Sequence, residues 1–115
     1  MKPDPSWIHD WKVGINNERE KAVSQELVTL FAAFLEETGI YQKSKKTQYR
    51  YESSLHALGG FLVEKAVWGD EDKTTRELLT KYVDPYEGPL IFQDKESWQE
   101  EVDMVCRKLY KYLHK

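Results

Sequence analysis

Tyr41–Trp68 reads YQKSKKTQYRYESSLHALGGFLVEKAVW, and the fold is organised around it. Its first eleven residues, Tyr41–Tyr51, are basic and aromatic, with Lys43, Lys45, Lys46 and Arg50 and no acid. From Ser44 or Thr47 onward, Tyr51, Leu55, Leu58, Leu62 and Ala66 recur at three- and four-residue steps, with Phe61 and Val67 widening the stripe. That spacing predicts the longest amphipathic helix in the chain, stopped at Gly69. Gly59-Gly60 in its interior costs about 1 kcal/mol per glycine relative to alanine. Such a pair marks a kink or a close crossing, and the bulky apolar neighbours on both sides favour a crossing helix.

The flanking segments read as helices cut to pack on this one. Asn17 with Glu20 has the spacing of a capping box, and Val23, Leu27, Leu30, Phe31, Phe34 and Leu35 then form a buried face ended by Gly39. Asp70-Glu71-Asp72 reads as a solvated acidic connector. Thr74 with Glu77 opens a short helix that turns Leu78, Leu79, Tyr82 and Val83 inward, and Asp84-Pro85 breaks it. Gly88–Phe92, GPLIF, is too short for a sheet and is expected to pack as an extended plug. Ser97 with Glu100 opens the last helix, lined by Trp98, Val102, Val105, Leu109, Tyr112 and Leu113. Met1–Pro5 is an irregular arm, followed by a short turn in which Trp7, Ile8 and Trp11 share a face and close one end of the core. The expectation is all-α: a four-helix bundle with a short N-terminal helical turn, one domain over 1–115 with 1–15 packing on the core.

Composition sets limits on function. Fifteen aromatics among 115 residues are ample for one core. The net charge of −3 argues against a general polyanion binder, but the charge is segregated. Tyr41–Tyr51 and Met104–Lys115 together carry +8 with no acid, leaving −11 on the other ninety-two residues. Cys106 stands alone, so no disulfide framework exists. Leu27–Leu35 is nine uncharged residues, far short of the roughly 18 that span a bilayer. The N-terminal MKPDPSWIHDW has no signal-peptide core, and a cytoplasmic protein with no membrane contact is expected.

Catalytic and ligand motifs are missing from the pattern. His9, His56 and His114 lack metal-pair spacing. Cys106 sits beside a buried stripe, as a packed thiol would. Gly59-Gly60 follows helix rather than strand, which excludes a dinucleotide-type phosphate loop. Neither an enzyme nor a cofactor, metal or small-molecule ligand is expected. What stands out is the basic lead-in: Lys43, Ser44, Lys45, Lys46, Thr47 and Arg50 at a helix N-terminus are residue types that contact phosphates. Arg107, Lys108 and Lys111 form a second cluster, which also offsets the dipole at the end of the last helix. In an up-down bundle the two clusters would lie at opposite ends, about 25 Å apart; a steep crossing would let them share a face.

Leu27, Leu30 to Leu35, Gly39, Ser44, Thr47, Tyr51 and Leu55 follow the phrase LxxFxxFLxxxG, S-x-x-T, Tyr and spaced leucines. This resembles the SAM-like, core-binding N-terminal domain of phage-integrase-type tyrosine recombinases. Val105–Leu113 likewise looks like the aromatic-rich last helix of that domain. The resemblance implies a SAM-like bundle that clamps DNA through Ser44, Lys45, Lys46, Thr47 and Arg50, with Arg107, Lys108 and Lys111 as further contacts. It also implies a stand-alone domain, because the catalytic domain that follows in recombinases has no counterpart in these residues. The competing class is a protein-interaction or dimerisation module in which Trp7, Trp11, Tyr41 and Tyr49 form an exposed aromatic patch.

Overall fold

The computed structural model describes residues 2–115. The chain is all-helical, with no strand among the described residues. In order come α1 (Pro5–Asp10), α2 (Asn17–Glu37), a single 3-10 turn (Ile40–Gln42), α3 (Lys45–Val67), α4 (Thr75–Tyr82) and α5 (Glu96–Leu113). The expected short N-terminal turn and four longer helices are therefore present.

The stripe of α3 is buried as its spacing requires: Tyr51, Leu55, Leu58, Leu62 and Ala66 are at most 5% exposed. It packs chiefly on α2, through Leu27, Phe31, Phe34 and Leu35, and on α5, through Val102, Val105 and Leu109. Gly59-Gly60 does not break the helix, which runs continuously to Val67. The close crossing is real, but the element that crosses is α1's flanking residue Trp11 rather than another long helix. A Cβ built on Gly59 would collide with the Trp11 ring. The indole N–H donates to the His56 carbonyl at 2.8 Å, so the buried ring keeps its polar partner. Trp7 stands edge-on to Trp11 at 5.6 Å and to His56 at 5.0 Å.

Gly39 and Gly69 adopt the left-handed conformation that ends α2 and α3 (φ 74° and 112°), as read from the sequence. The helix starts differ from expectation in two places. Asn16, not Asn17, caps α2, accepting from the Arg19 N–H at 3.2 Å. α5 begins at Glu96 after Lys95, with no side-chain cap from Ser97. Only Thr74 and Glu77 make the complete reciprocal box. Glu20 is only 3% exposed, and its carboxylate instead accepts the N–H groups of Val13, Gly14, Ile15 and Asn16 at 2.7–3.1 Å.

The acidic connector is also corrected. Asp70 is buried, accepting from Lys81 Nζ at 2.6 Å and from the Tyr82 hydroxyl. The Lys81 bond and then the Tyr82 bond hold its carboxyl below the usual range. The GPLIF segment is only half a plug, since Ile91 and Phe92 are partly buried while Leu90 is 63% exposed. Gln99 of α5 pins it, accepting from the Ile91 and Phe92 N–H groups at 2.9 Å and donating to the Pro89 carbonyl. Gly88 lies flat on α5, where a Cβ would meet Cys106 and Val102. No helix is long and apolar enough to cross a membrane among the described residues.

Candidate functional site

Ser44 builds the start of α3. Its backbone is extended (φ −60°, ψ 156°), and its Oγ accepts the Thr47 N–H at 3.2 Å while donating to Thr47 Oγ1. Gln48 reaches back to donate to the Tyr41 and Lys43 carbonyls at 3.2 and 2.9 Å, which fixes the lead-in against the first turns of α3. Lys43, Lys45 and Lys46 are all exposed and take part in no ion pair among the described residues. α2, α4 and α5 each place a carboxylate in the first turn; α3 places none. Three ammonium groups thus gather at the positive end of a helix dipole, where they repel one another and the free N–H groups, and where an anion would be favoured.

The structure adds one cation that the sequence pattern did not single out. Lys2 Nζ lies 4.4 Å above the Tyr41 ring, bringing the N-terminal arm to this end of the molecule. Tyr41 is half-buried, and its hydroxyl pKa is raised by burial and then by the nearby Glu52 and Glu36 carboxylates. Arg50 does not join the lysines: its Nε meets Glu101 Oε1 of α5 at 3.4 Å.

The second basic cluster stays apart. α5 crosses the bundle, starting beside Arg50 and ending over α2 and α4. There the Tyr112 hydroxyl donates to Glu37 at 2.8 Å, and the Leu113 carbonyl accepts from Arg76 at 2.8 Å. Arg107 donates to the Tyr86 carbonyl, and Lys108 and Lys111 are exposed. No described contact joins this cluster to Lys45 or Lys46.

The aromatic-patch alternative loses its anchors, since Trp7 and Trp11 are 2% and 4% exposed. Of its four residues only Tyr49 is largely exposed, at 62%. The large aromatics that do face outward are others: Trp98, placed by its spacing in the core stripe, is 53% exposed, and Trp68 and Tyr86 lie on the surface. Trp98 shares the phase of the stripe, but in the first turn of α5 it meets Phe92 and the start of α3 at an open cleft instead of the closed core.

The Asp10 carboxylate accepts from His56 Nε2 at 3.0 Å, and His114 stacks on Tyr110. Among the described residues no three His, Cys, Asp or Glu side chains converge to hold a metal ion. The Cys106 thiol is 1% exposed and its pKa is pushed up to about 12, by burial first and then by Asp103 and Asp84, so a thiolate is disfavoured there. Comparison with protein-family models, curated proteins and solved structures returns no match.

Proposed function

We infer that this chain is a non-catalytic helical module that holds nucleic acid weakly through the start of α3. The observation that carries this reading is the trio Lys43, Lys45 and Lys46, unpaired around a helix N-terminus that has no acid in its first turn. Ser44 and Thr47 supply hydroxyls beside them, and Lys2 adds a fourth cation. The likeness to recombinase clamp domains points to the same residues. Arg50, paired with Glu101, is a minor contributor, and Arg107, Lys108 and Lys111 form a separate patch.

Three phosphate contacts give a salt slope of about −2.7, so affinity for duplex DNA should fall about fortyfold between 50 and 200 mM salt. Fluorescence anisotropy of a labelled duplex, with wild type beside Lys45→Glu/Lys46→Glu, measures this directly. Saturable binding that is lost in the double variant and hardly changed in Arg50→Gln is the expected result. No binding at low salt, or coincident curves for wild type and double variant, would remove nucleic acid as the partner of this face.

A further inference from the structure

A cleft of about 240 Å3 opens between the start of α3 and the segment leading into α5, lined by Tyr49, Ser53, Ser54, Phe92, Trp98 and Glu101. It adjoins the lysine face but differs from it in chemistry. Three of its walls are aromatic, and its single charged wall is a carboxylate. Phe92 and Trp98 meet edge-to-face at 5.4 Å, so one ring gives a face to the other's edge and the remaining faces are turned elsewhere. Tyr49 and Trp98 are more than half exposed, a poor arrangement for rings whose only task is packing. The α5 side is acidic, with four carboxylates and one lysine in residues 94–101, DKESWQEE, while Arg50 stands beside Glu101 on the α3 side. That lysine, Lys95, already sets its ammonium 5.5 Å from the Trp98 centroid, so the indole face attracts cations in this setting.

We propose that this cleft binds a quaternary or methylated ammonium group. Aromatic faces hold such a cation through their quadrupoles while tolerating its apolar methyl surface, and a carboxylate at the rim supplies the opposite charge. Glu101 is the carboxylate at this rim; Arg50 already engages its Oε1 at 3.4 Å in an exposed pair, so a bound ammonium group would compete with Arg50 for it. The volume is below the range of drug-sized pockets and suits a group of a few heavy atoms. Glu101 is the one charged side chain in the lining, so within the cleft an anionic ligand such as a phosphate is disfavoured, in contrast to the lysine face.

The test is titration of the isotope-labelled protein with choline and with the neutral alcohol in which carbon replaces the quaternary nitrogen, followed through the Trp98 indole N–H. Trp98→Ala assigns that signal, and the exposed Trp68 indole serves as the internal control. Choline should shift the Trp98 signal saturably and leave Trp68 in place, binding at least about fivefold tighter than its neutral isostere. Glu101→Gln should weaken choline about threefold without altering the isostere. A peptide carrying trimethyl-lysine, run alongside, distinguishes the source: tighter binding than choline assigns the ammonium to a protein partner, weaker binding to a free small molecule. No saturable shift at Trp98, or equal affinity for choline and the neutral alcohol, overturns the proposal.

Discussion

Glu20 shows how one side chain can be read for its spacing and used for something else. It stands three residues from Asn17, the distance of a capping box, yet its carboxylate closes the loop before α2 by accepting four consecutive N–H groups. Burial alone would raise its pKa; the bonds from Asn16, Gly14, Val13 and Ile15 outweigh it and bring the value down from 4.5 to about 2. Because the folded value is depressed, the stabilisation is complete above about pH 4.5 and is lost as pH falls toward 2. Glu20→Ala should cost about 2–3 kcal/mol at neutral pH, since it strands four donors. The variant should also show a flatter loss of stability below pH 4.5 in acid titrations followed by circular dichroism; a slope equal to wild type would show that other groups carry the acid sensitivity. Cys106 gives the opposite sign. Its thiol is raised from 9.0 to about 12, so its contribution is intact below pH 9 and lost between 9 and 12. Alkylation at pH 8 should proceed only at the rate of unfolding, and labelling as fast as a free thiol would contradict its burial.

Adjacent glycines in α3 should respond in opposite directions. Alanine at either position gains about 1 kcal/mol of helix propensity. At Gly59 a methyl group collides with the Trp11 ring, which is held by its bond to His56 and cannot slide aside freely. Gly59→Ala should therefore be net destabilising by about 1–3 kcal/mol and should loosen α1 from the bundle. At Gly60 the nearest atom is Trp11 Cδ1 at 3.4 Å, an ordinary contact, so Gly60→Ala should stabilise by up to about 1 kcal/mol. Urea unfolding of the two variants decides the matter, and a common sign would refute this account of the pair. The glycines were legible as a place where something comes close. Which element comes close was not, because Trp11 and Gly59 are far apart in the chain and no local pattern pairs them.

At the scale of the whole molecule, Arg19 ties together segments some fifty residues apart. Its guanidinium donates to the carbonyls of Ala66, Asp70 and Lys73, joining the start of α2 to the end of α3 and to the connector before α4. Arg19→Ala should cost about 2–3 kcal/mol and lower the urea midpoint without changing its slope, because three acceptors lose a fixed donor while the buried surface stays the same. A changed slope would instead mean that the connector opens. The same scale decides the candidate site. α5 crosses the bundle instead of running along it, so Arg50 is occupied by Glu101, the second basic cluster is carried away over α2 and α4, and Trp98 meets Phe92 and Tyr49 at a cleft.

The amino-acid sequence by itself determined the helical class, the extent of α2 and α3, the left-handed stops at Gly39 and Gly69, and the exposed lysines at the start of α3. All of these rest on periodicity or on local backbone preference, which act within a few residues. Only the tertiary structure decided which carboxylates are buried, which arginines are free, that Trp11 rather than a long helix lies on Gly59, and that Trp98 faces a cleft. Each of those outcomes depends on the meeting of segments far apart in the chain. Glu20 and Asp70 look like any surface acid until a loop or a lysine is brought to them, and Arg50 looks like a free cation until α5 crosses beside it.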